Sequence, residues 1–63
     1  MKVKYFIDIN GFRYTICYHK GWYVTTPKHQ WFFSRIVQIK DIKSRILEEY
    51  PKATITHIKK EMA

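Results

Sequence analysis

The residues with the most to offer chemically are cations interleaved with rings: Lys2, Lys4, Phe6, Arg13, Lys20 and Tyr23. Lysine and arginine neutralise phosphates, and aromatic rings stack on bases. On one side of a β-sheet these six would make a surface for nucleic acid. Asp8, opposite Arg13 in the pairing expected below, neutralises part of that arginine. A second basic set, Lys28, Arg35, Lys40, Lys43, Arg45 and Lys52, surrounds a predicted helix. A helix with Lys40, Lys43 and Arg45 outward could lie along a phosphate backbone, or could simply be solvated. Lys59 and Lys60 add attraction without specificity.

Other chemistries find little to work with. Cys17, His19, His29 and His57 lack the paired spacing of zinc sites, so no metal is expected. Cys17 and His19 stand two apart with no third group to orient them, which argues against nucleophilic catalysis. The carboxylates are scattered, and a sheet-plus-helix domain of this size has little room for a substrate cleft of roughly 300 Å³. The expectation is a protein that is not an enzyme and carries no cofactor.

Twelve lysines and arginines against five carboxylates give a net charge of +7 on 63 residues. Such a field draws polyanions and acidic surfaces and repels copies of itself. Two classes of partner follow. The first is nucleic acid, DNA or RNA. The second is an acidic protein surface, met by an interaction or inhibitor module that could work as a homodimer. The single Cys17 cannot form an internal disulfide. The basic start is followed by alternation rather than a continuous apolar run, unlike a signal peptide. No stretch approaches the roughly 20 apolar residues of a membrane helix. A soluble, cytoplasmic protein with no membrane partner is expected.

The elements that must position these residues centre on Asn10-Gly11. This pair suits the positive φ angles of a two-residue type I′ hairpin turn. It sets Ile9 opposite Phe12, Asp8 opposite Arg13, Ile7 opposite Tyr14 and Val3 opposite Tyr18. One face then carries Val3, Tyr5, Ile7, Ile9, Phe12, Tyr14, Ile16 and Tyr18; the other carries Lys2, Lys4, Phe6, Asp8, Arg13, Thr15 and Cys17. A His19-Lys20-Gly21 loop, with Gly21 left-handed, pairs Tyr18 with Trp22 and Ile16 with Val24 and keeps the apolar face whole. Tyr23 and Thr25 join the charged side.

Residues 31–39 read either as a strand, favoured by their aromatic and β-branched content, or as the start of a helix. On the helical wheel the apolar arc of that second reading also takes in Arg35, Lys40 and Lys43. Asp41 is a plausible N-cap for a helix carrying Ile42, Ile46, Leu47 and Tyr50 on one stripe, stopped by Pro51. Residues 53–58 form a last strand, and 59–63 a frayed tail. The expected fold is α+β in one domain, residues 1–63: an antiparallel meander of three to five strands with one helix on its apolar face, in the order β-β-β-(β)-α-β. One such helix is too short to cover ten large side chains. The sheet must curl, residues 31–33 must close over an end, or a second copy must supply the cover.

Overall fold

The structure, a computed structural model, describes residues 2–58, so the expected tail at 59–63 lies outside it. Five strands, β1 (Lys2–Ile9), β2 (Phe12–Tyr18), β3 (Gly21–Thr25), β4 (Gln30–Ser34) and β5 (Thr54–His57), surround one helix, α1 (Ile39–Glu49). They form a single antiparallel sheet in the order β4-β3-β2-β1-β5. The first four strands make a meander. The chain then crosses from one edge of the sheet to the other through α1.

That crossing fixes where the core lies. Strand β4 ends beside the β2–β3 turn, and β5 begins beside the β1–β2 turn. The helix must therefore run obliquely from one corner of the sheet to the opposite one. Eleven residues give a helix about 16 Å long, slightly less than the ~19 Å across five strands. Under it lies the core: Ile7, Ile9, Ile16 and Val24 from the sheet, Ile42 and Ile46 from the helix. The other two corners of this inner face are left to half-buried rings. Tyr5, Trp22 and Tyr18 gather near the β2–β3 turn, and Trp31 with His29 near the opposite end.

The first turn is as expected, with φ of 52° at Asn10 and 83° at Gly11. So are the pairs Ile9–Phe12, Asp8–Arg13 and Ile7–Tyr14. Toward the N-terminus the register departs from regular alternation. Lys4 is an extra residue on β1, between the pairs Val3–Cys17 and Tyr5–Ile16. The expected Val3–Tyr18 pair is thereby replaced by Lys2–Tyr18. A bulge of this kind shifts everything beyond it by one residue, so Val3 joins the outer face and Lys2 the inner.

The second turn keeps the expected pairs Ile16–Val24 and Tyr18–Trp22. The left-handed residue, however, is Lys20 (φ 59°) rather than Gly21 (φ 157°). Phe12, expected inside, is largely exposed where β2 leaves the turn. Residues 31–34 are strand as favoured, but 35–38 turn and α1 begins at Ile39. Gln38 is the N-cap and Asp41 sits inside the first turn. The earlier start lets Val37 and Ile39 pack against the core, a larger gain than one cap. Leu47, expected in the buried stripe, is 40% exposed on the helix flank.

The cover that one helix could not give comes from Trp31 and Phe33 of β4, both packed against the core. A polar knot at Tyr50 ties the β3–β4 loop to the end of α1. Its hydroxyl donates to Thr26 Oγ1 at 3.1 Å, accepts from the Lys28 N–H at 3.1 Å and lies 3.3 Å from His29 Nδ1. Thr26 Oγ1 in turn donates to the His29 carbonyl at 2.7 Å. Tyr50→Phe should cost about 1–2 kcal/mol and lower the melting temperature by roughly 4–16 °C. Faster hydrogen exchange at the Lys28 amide would accompany it; an unchanged exchange rate would mean the knot contributes nothing.

Candidate nucleic-acid interface

The six residues singled out by type do not share one surface. Phe6, Arg13 and Tyr23 are on the outer face, away from α1. There the Arg13 guanidinium lies 4.6 Å from the centre of the Phe6 ring, and its Nε is 3.1 Å from Asp8 Oδ1. Arg13 is thus engaged by a ring and a carboxylate of its own chain. Tyr23 packs against Phe32 with ring centres 5.0 Å apart, not against Phe6. The rest of this face consists largely of threonines, including Thr15, Thr54 and Thr56. It is open but carries little net charge.

Lys2, Lys4 and Lys20 belong to the end of the molecule formed by the β2–β3 turn. The bulge sets Lys4 on the wall of a groove shared with Tyr18, Trp22 and Arg35, with a volume of about 300 Å³. Trp22 meets Tyr18 edge-on at 4.8 Å and Tyr5 at 6.2 Å. The Lys43 ammonium lies 5.3 Å over the Tyr5 ring. Arg35 and Lys43 come from the second basic set, the ones found on the apolar arc of the helical wheel. Arg45, two residues past Lys43, is turned to the opposite flank of α1, where its guanidinium lies 5.8 Å over Trp31.

The charge is divided along the molecule. The β2–β3 turn end holds Lys2, Lys4, Lys20, Arg35, Lys40 and Lys43 beside the start of α1, with Asp41 as their carboxylate neighbour in sequence. Gln38 makes no side-chain cap, and Asp41 in the first turn is the carboxylate that offsets the positive end of the helix dipole. Arg13, Lys28, Arg45 and Lys52 lie toward the other end, together with Asp8, Glu48 and Glu49. There a second recess, about 280 Å³, is lined by Ile9, Asn10, Glu49, Tyr50, Pro51, Lys52 and Ala53. Neither lining brings a cysteine or histidine to a base.

Among the described residues no group of three or more His, Cys, Asp or Glu is placed to hold a metal ion. Cys17 is half-buried on the outer face with its Sγ 3.7 Å from Thr15 Oγ1. No helix among them is long and apolar enough to cross a membrane.

Compared with known families, curated proteins and solved structures, the chain matches no family model, no curated protein and no solved structure. The geometry of the cationic end is therefore the ground for a functional reading.

Proposed function

We propose that the protein is a small basic nucleic-acid-binding protein that meets its ligand with the β2–β3 turn end. The observation that supports this is the gathering of Lys4, Arg35 and Lys43 around the half-buried rings of Tyr5, Tyr18 and Trp22. Lys2, Lys20 and Lys40 extend the positive surface, while the carboxylates of α1's last turn lie at the far end. Phosphates are held by the cations; the rings offer faces to bases. Of the outer-face residues, Arg13 contributes least, because Asp8 already holds it.

The test is a nucleic-acid titration followed by amide chemical shifts over a range of salt. Four or five phosphate contacts predict a log–log salt slope of about −4 on duplex DNA and about −3 on a single strand. Lys4→Ala with Lys20→Ala should shallow that slope by about 2 units and weaken binding about tenfold at ~50 mM salt, with the melting temperature unchanged. Absence of any shift with the folded protein at ~100 μM and ~50 mM salt overturns the reading.

A second reading, an interaction module that pairs through its outer face, is favoured by different residues. Val3, Tyr23 and Phe32 are 38%, 37% and 59% exposed there, with no element of the described residues over them. Light scattering decides whether a second copy covers them; a monomer at ~1 mM removes this reading.

A further inference from the structure

We infer that the groove between Lys4 and Arg35 takes one unstacked base of a single strand, so that the ligand is single-stranded nucleic acid rather than a duplex. The inference rests on the nucleic-acid reading and narrows it.

The groove is walled by Tyr18 and Trp22 and bounded by cations from two separate elements, Lys4 on β1 and Arg35 in the turn before α1. At about 300 Å³ it is at the lower end of small-ligand sites, suited to part of a nucleotide. Trp22 adds a polar signal: among the described residues its indole Nε1–H has no hydrogen-bond partner, and it is shielded from solvent, so an acceptor meets it when the indole turns toward the groove. An unpartnered buried donor costs about 1–3 kcal/mol, which an acceptor would recover. Every base edge carries such acceptors, but in a duplex the base faces are stacked away, and only a splayed base can enter a recess.

The alternative geometry for a duplex is a protruding element in the major groove, and α1 fits it badly. Its exposed residues mix Lys40 and Arg45 with Asp41, Glu48 and Glu49, and like charges repel along the phosphates. The sheet's outer face offers the engaged Arg13 and threonines. A shallow, open aromatic site flanked by cations is what remains, and it can meet bases one at a time.

The experiment compares a ten-nucleotide mixed-sequence DNA strand with the duplex of the same sequence, following the indole Nε1–H signals of both tryptophans. Expected are at least tenfold tighter binding of the strand, a large displacement of the Trp22 indole signal, and little change at Trp31. Trp22→Phe, which keeps a ring and removes the donor, should weaken strand binding several-fold more than duplex binding. If that variant does not fold, the indole displacement in the unaltered protein decides. Equal affinity for strand and duplex, or a stationary Trp22 signal during saturable strand binding, overturns the single-strand inference and leaves the nucleic-acid reading standing. Failure to bind either form overturns both.

Discussion

Ile46→Ala is expected to cost about 2–5 kcal/mol and to leave much of the protein unfolded at 37 °C. Ile46 is 0% exposed and, with Ile42, is one of the two helix residues buried in a core otherwise made by Ile7, Ile9, Ile16 and Val24. The size of the chain makes the loss severe. At the usual stability per residue, 63 residues are worth roughly 3–9 kcal/mol in total. A cavity under the single helix has no second layer to collapse into it. Each kcal/mol lost lowers the melting temperature of so small a domain by about 4–8 °C, so a fall of 10 °C or more should appear by circular dichroism. Leu47→Ala, one residue on but 40% exposed, is the matched control and should cost well under half as much. Similar melting temperatures for the two variants would mean that α1 is not docked through Ile42 and Ile46.

The second large effect is expected at Gly21. A Cβ there would lie 2.6 Å from Cε1 and Cζ of the Phe32 ring and 3.1 Å from the Phe33 carbonyl oxygen, at a backbone φ of 157°. Crowding of this kind costs typically about 1–3 kcal/mol. Gly11 separates the two causes. It too has positive φ, at 83°, yet nothing lies within 4 Å of its would-be Cβ. Gly11→Ala should therefore show only the backbone cost, about 1 kcal/mol. Gly21→Ala combined with Phe32→Ala removes the ring, and the pair should be less destabilising than the sum of the two changes. Strict additivity would mean that the ring swings aside freely and that the carbonyl and φ carry the whole effect.

How much of this was legible depends on the range of the interaction. Asn10-Gly11 and the alternation beside it specify the turn, its register and the outer placement of Phe6, Asp8 and Arg13, because each is a near-neighbour effect. The bulge at Lys4 left no such mark. Lys2 to Tyr5 alternate without a flaw, and the features around the irregularity are distant in sequence: the Lys4 carbonyl accepts from the Ile58 N–H at 3.0 Å, and Tyr5 pairs with His57. The same limit applied to α1. A cap at Asp41 is locally sound, but burial of Val37 and Ile39 against strands far away in sequence moves the start forward.

The candidate site divided in the same manner. The cations were identifiable by type, and Lys20 and Lys40 needed no further context. Their assembly into one groove depended on the bulge and on the oblique path of the helix. The presence of Lys40 and Lys43 on an otherwise apolar helical arc was the available signal, whereas Arg35 lies in the turn before α1 and owes its place to the chain path there. That arc places positive charge on the flank of the helix beside the sheet's rings rather than on its back, as Lys43 over Tyr5 shows.

The uneven division of charge between the two ends of the molecule acts before any contact is made. In the field of a polyanion a body charged mainly at one pole feels a torque as well as a pull, and it turns that pole forward while still several ångströms away. Collisions are then sorted by orientation, and a larger share arrive with Lys4 and Arg35 leading. Moving a positive charge from Lys20 to the Glu48 pole would leave the total at +7 and yet slow association, a kinetic effect that grows as salt is withdrawn.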